Sequence, residues 1–137
     1  MSSPSITTFP LPTNGVPPSL LRALERLSDA IGWTSTRELI RLFIDDGRAA
    51  LARIDRAQRR FDGQGLQRVL SDLQGNSAMM GAHRLSRFCE EVTGDLSTDV
   101  APRIAALQQE WSRIDWLLSM WVMSRSSVAP VVSSLAA

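Results

Sequence analysis

The side chains best suited to chemistry in this 137-residue chain are its one histidine, His83, its one cysteine, Cys89, and a Ser71-Asp72 pair. An imidazole can move a proton or accept a phosphoryl group near neutral pH. A lone thiol forms no internal disulfide and, with no second cysteine, no metal cluster. Ser71 beside Asp72 looks like the start of a hydrolytic pair, but such a pair needs a base and an oxyanion donor, and the surrounding sequence offers neither. All fifteen basic residues are arginine, and tyrosine is absent. Mechanisms built on a Schiff-base or P-loop lysine are therefore excluded. The expectation is a protein with no catalytic site, metal, cofactor or small-molecule substrate.

The elements that position these residues read as helices. A chain of this length forms one domain with one core. Residues 1–16 and 125–137 are rich in Ser and Pro and read as an N-terminal arm and a C-terminal tail around a bundle at 17–124. Between them the apolar spacing is helical throughout, with no strand-like alternation. The first predicted helix starts at Ser19 as N-cap, buries Leu20, Leu24, Leu27 and Ile31, and ends at Gly32. The second opens on a capping-box pattern, Ser35-Thr36-Arg37-Glu38, and runs to Phe61 with Leu39, Phe43, Leu51, Ile54 and Phe61 inward. Asp62-Gly63-Gln64-Gly65 breaks the chain. The third helix carries Leu66, Val69, Leu70, Leu73 and Met80 and stops at Gly81. A short fourth carries Leu85, Phe88, Cys89 and Val92 and closes at Gly94. The fifth follows Pro102, with Ile104, Leu107, Trp111, Ile114, Leu118 and Trp121 in the spacing of a nearly parallel helix seam. The predicted fold is all-α, an antiparallel four-helix bundle with an additional short helix.

With that inner face fixed, Ser71 points outward from the third helix, with Arg68 one turn before it and Gly75 one turn after. Gln67, Asp72, Gln74 and Ala78 flank the stripe. A glycine on an exposed helix costs about 1 kcal/mol against alanine. Two explanations stand side by side: Gly75 eases packing between helices or is simply tolerated, or it clears the approach of something to Ser71. Cys89 falls on an inner stripe and reads as a core residue.

The net charge of +1 gives no overall field to draw the chain to nucleic acid or a membrane. It conceals an asymmetry. Residues 48–87 hold eight arginines against three aspartates, and residues 88–115 hold six acidic groups against two arginines. A basic middle suits an acidic partner pocket, or is an ordinary solvated surface. The N-terminus lacks a secretory pattern, and the apolar run from Trp116 to Met123 is too short to span a bilayer. The expected location is cytoplasmic.

The stretch LSDLQGNSAMMGAHRL, residues 70–85, resembles the signature of histidine-containing phosphotransfer (HPt) domains. Leu73, Gly75, Ser77, Ala78, Gly81, Ala82 and Leu85 match in register. RFCEEV downstream and RELIRLFIDDGRAALARIDRA upstream resemble the neighbouring helices of that family, and the likeness spans roughly residues 20–123. It implies an HPt-like five-helix architecture. The departures fall on the chemistry. Four residues before the first glycine, where the family carries its phosphorylated histidine, stands Ser71. Just before that glycine, where a lysine usually pairs with the phosphoryl group, stands Gln74. Without an activating base serine is a poor nucleophile, and its phosphate ester is too stable to return phosphate to an aspartate.

What the resemblance implies is a non-catalytic adaptor that docks on a response-regulator receiver domain or a histidine kinase. Gln67, Arg68, Ser71, Asp72, Gln74, Gly75 and Ala78 would lie at the contact. Two alternatives remain open: a phosphocarrier using His83, or a helical scaffold or dimerisation module unrelated to phosphorelay.

Overall fold

A computed structural model describes the backbone of residues 16–136 except residue 98, and the side chains as far as Arg125. Residues 1–15 of the proposed arm at 1–16 lie outside the described residues. Four helices follow in order: α1 (Pro18–Arg59), α2 (Gly63–Met79), α3 (His83–Gly94) and α4 (Ala101–Ala136). No strand occurs among the described residues. Gly32, with φ +84° and ψ 165°, breaks α1 into two segments, which restores the five pieces read from the periodicity. The break is the glycine's doing, because a residue bearing a Cβ is strongly disfavoured at that backbone geometry.

The bundle closes because α2 packs between α1 and α3, and α4 packs against both α3 and α1. One continuous core runs through it, built from Leu20, Leu24, Ile40, Ile54, Leu70 and Leu85 with the inner row of α4. Each such side chain contributes about 1.5–3 kcal/mol on burial. The α4 row reads as expected: Ile104, Leu107, Trp111, Ile114, Leu118 and Trp121 are all buried. Trp33, directly after the break, meets Trp121 edge-on at 5.4 Å. The Arg125 guanidinium lies 5.0 Å from the Trp33 ring and 4.9 Å from the Trp121 ring, so a cation–π cluster ties the start of the second α1 segment to α4.

Several local expectations are corrected. Ser19 is not a cap. Pro17 holds the N-cap position, and the Ser19 hydroxyl instead donates to the Gly81 carbonyl at 2.7 Å, fastening the first segment of α1 to the α2–α3 corner. The Ser35–Glu38 capping box does not form, because the helix has already resumed after Gly32; Thr36 is buried and its Oγ1 donates back to the Gly32 carbonyl at 2.8 Å. Ile31 and Leu39 are exposed, since Ile40 takes the inward position that Leu39 was expected to fill. Val16, placed in the arm, is buried. The predicted break at 62–65 is shorter than expected: Gly63 and Gly65 belong to the first turn of α2, and the Asp62 side chain caps it by accepting from the Gly65 amide at 2.9 Å. Position 124, taken as the bundle's end, falls inside α4, whose helical backbone continues to Ala136.

Phe61 is the largest departure. α1 ends in a double hydrogen-bonded turn in which the Phe61 amide donates to the Gln58 carbonyl at 3.2 Å and the Asp62 amide to Ala57 at 2.9 Å. That turn sets Phe61 at φ +53° and points it outward, 95% exposed. The α2–α3 corner repeats the same turn, with Gly81 donating to Ala78 and Ala82 to Ser77, and there the left-handed position belongs to a glycine at φ +85°. A non-glycine residue in this region costs about 1–2 kcal/mol.

Candidate functional site

Ser71 sits on the exposed side of α2, at the edge of a groove of about 490 Å³ between α2 and the second segment of α1. Leu66, Leu70, Leu73 and Ser77 turn inward and fix the helix rotation, so the opposite side must face outward. Ser71, Asp72, Gly75, Asn76 and Met79 form one wall of the groove. Asp46, Ala49 and Arg53 of α1 form the other, over a floor that includes Phe43 and Gly47.

Gly47 lets that floor exist. Its Cβ position is filled by the Trp111 ring, which reaches it from α4. Phe43 braces the same indole at 5.5 Å and 58°. Arg48, next to Gly47, then grips α4 from outside: its Nε and Nη2 donate to the two Asp115 carboxylate oxygens at 3.0 and 3.1 Å. Asp115 raises the pKa of Arg48, first through these hydrogen bonds and then through its charge. The groove is thus backed by a side chain from across the bundle.

Gly75 is the opposite case. A Cβ added there would meet nothing within 4 Å. That open space rules out a role in packing between helices. Gly75 leaves a flat step on an exposed helix, next to the serine.

The seven predicted contact residues divide. Ser71, Asp72 and Gly75 line the groove. Gln67 and Arg68 line a shallow dip beside it, sharing Ser71 as the common edge. Gln74 is half-buried and, like exposed Ala78, lines neither. The α1 wall was missed. Its trace in the sequence is the small-residue run Gly47, Ala49, Ala50 within an outward row holding Asp46 and Arg53.

The electrostatics differ from the expected basic patch. In the groove, Asp46 and Asp72 offset Arg53, and none of the three has an ion-pair partner among the described residues. Arg68 is likewise exposed and unpaired there. The arginine excess lies elsewhere, at the end of α1 (Arg56, Arg59, Arg60) and on α3 (Arg84, Arg87).

His83 is exposed at the first residue of α3, past the Gly81 corner, and lines neither the groove nor the dip. Cys89 is buried, and desolvation pushes its thiol up to about 12, which keeps it protonated and unreactive at neutral pH. No cluster of three or more metal-ligating side chains occurs among the described residues. No helix among them is long and apolar enough to cross a membrane.

Comparison with known proteins agrees with this geometry. The family model for the Hpt domain matches residues 38–116, and the chain belongs to that family. Its fold is similar to the crystal structure of histidine-containing phosphotransfer protein B from Pseudomonas aeruginosa PAO1, with a TM-score of 0.73 at 23% identity, over 80% of this chain and 98% of that one. No curated protein matches the chain. Proteins of this family are phosphorelay components that work with receiver domains and histidine kinases.

Proposed function

We propose that this protein is a non-catalytic member of the Hpt family, a cytoplasmic adaptor that docks on a receiver domain or histidine kinase and modulates phosphotransfer without carrying phosphate itself. The observation that carries the reading is the pairing of Ser71 with Gly75. By the resemblance of residues 70–85, the family's histidine position falls on Ser71, which is exposed and stands one turn before a glycine whose Cβ position is open space.

The surroundings of Ser71 support an inert hydroxyl. Its Oγ makes no side-chain hydrogen bond among the described residues, so no base withdraws its proton. Gln74 supplies no positive charge to a phosphoryl group. What the face offers a partner is close approach at Gly75, an apolar contact at Met79, and unpaired charges at Arg53, Arg68 and Asp72 for orientation.

The test is to incubate the chain with an active kinase–receiver pair and labelled ATP, and to measure receiver binding by calorimetry. The expected result is binding without acid-labile label, weakened at least tenfold by Gly75→Gln and less by Arg68→Ala. Acid-labile label that disappears in His83→Ala overturns the reading in favour of a phosphocarrier. Binding unchanged in both the Gly75 and the Arg68 variant removes the proposed face.

A further inference from the structure

Phe61 occupies a backbone position that the chain fills with glycine at its other equivalent turn, and yet its ring packs on nothing. Phe61 also stands at the rim of a second recess, of about 430 Å³, at the end of the bundle farthest from the α2–α3 corner. The recess is walled by Ala57, Leu66, Leu96 and Val100 and edged by Asp62 and Asp99. Arg59 and Arg60 directly precede the ring. Arg59 is paired with Asp55 on its own helix at 3.1 Å, whereas Arg60 has no ion-pair partner among the described residues. One end of one molecule therefore carries both halves of a joint: an aromatic knob next to the unpaired Arg60, and an apolar recess edged by two carboxylates.

We infer that this end is a self-association surface, on which Phe61 of each copy inserts into the Ala57–Leu66–Leu96–Val100 recess of a second copy. A two-fold axis brings knob to recess twice over, because the two features are neighbours on one patch. The same operation sets Arg60 of one copy against the aspartates of the other. This complementarity selects a second copy of the chain over an unrelated apolar partner, which would need to match both charge signs at that spacing. The two aspartates keep acceptor capacity for it, since Asp62 and Asp99 each spend one oxygen on the capping amides of Gly65 and Ala101. The patch is small, so the joint belongs with weak, concentration-dependent contacts. It lies away from Ser71 and Gly75, so each copy keeps its groove free.

The experiment is sedimentation velocity on the full chain from roughly 10 μM to roughly 1 mM, the range that brackets weak interfaces. The wild type is expected to shift from monomer towards dimer across the series. Phe61→Gly, which suits the left-handed turn and so preserves the fold, is expected to remain monomeric throughout with receiver binding unchanged. Arg60→Glu is expected to weaken the dimer, as is raised salt. A wild type that stays monomeric over the whole range overturns the inference, as does a dimer that survives Phe61→Gly. Loss of the dimer with receiver binding intact separates this joint from the groove reading.

Discussion

The Trp111 ring fills the space that a side chain on Gly47 would need. A tryptophan on α4 thereby fixes how closely α1 can lie over the core, and with it the depth of the groove beside Ser71. Gly47→Ala forces the indole or the helix to move. Overpacking of this kind costs about 1–3 kcal/mol, and urea denaturation is expected to show a loss in that range, with quenching or shift of the Trp111 emission.

Gly75→Ala is expected to act in the other direction. No atom stands where the new methyl would go, so only the helix propensity changes, a gain of about 1 kcal/mol. The same denaturation experiment reads it. A stabilised variant that binds receiver less well than the wild type would mean that the glycine is held for contact at the expense of stability.

Cys89 sets an alkaline limit. Its folded value of about 12 stands above the ordinary 9.0, because burial opposes the thiolate. The unfolded chain therefore releases its proton first. The stabilisation is full below pH 9 and is lost as pH rises from 9 towards 12. With no lysine or tyrosine in the chain, no other side chain type titrates in that window except arginine at its upper edge. Thermal melts are expected to decline steadily above pH 9 in the wild type and much less in Cys89→Ala.

Glu110 is 5% exposed and joins two helices: Arg113 donates to it at 3.2 and 2.8 Å, and Arg84 of α3 lies 3.5 Å away. Glu110→Ala removes a buried acceptor of charge-assisted bonds, each worth about 1.5–3 kcal/mol. We expect a clear fall in melting temperature for that variant and a smaller one for Arg84→Ala, whose side chain is mostly solvated.

Ser71→His combined with Gln74→Lys would place a histidine and a lysine at the positions where the resemblance puts the family's phosphorylated histidine and its lysine. The expected outcome is receiver-dependent, acid-labile phosphate on this chain, detected by labelled ATP. The two positions differ in setting, since Ser71 is exposed and Gln74 half-buried, so the histidine is expected to matter more than the lysine.

Helices and their inner faces were legible because burial imposes a period. Leu66, Leu70 and Leu73 fix the rotation of α2, and from them the outward aim of Ser71 follows. Phe61 was misread for the same reason. It falls seven residues after Ile54 and keeps the helical phase, but the helix ends two residues earlier and the phase ceases to have meaning. Ser35 and Thr36 misled because a capping pattern is local, while the restart of α1 is set by Gly32. Of the site, the α2 wall could be read from one helix. The α1 wall could not, because which residues of α1 face α2 depends on where two distant stretches meet. Gly47 gave no sign in the sequence that its partner is Trp111, 64 positions away.

The cluster of Trp33, Trp121 and Arg125 has a practical consequence. In a chain without tyrosine, the near-ultraviolet spectrum belongs chiefly to its four tryptophans. Two of them are held 5.4 Å apart at 71°, close enough for their transitions to couple. The protein therefore carries its own optical gauge at the Gly32 break. Any partner that swings the start of the second α1 segment away from α4 will announce itself in circular dichroism, with no label attached.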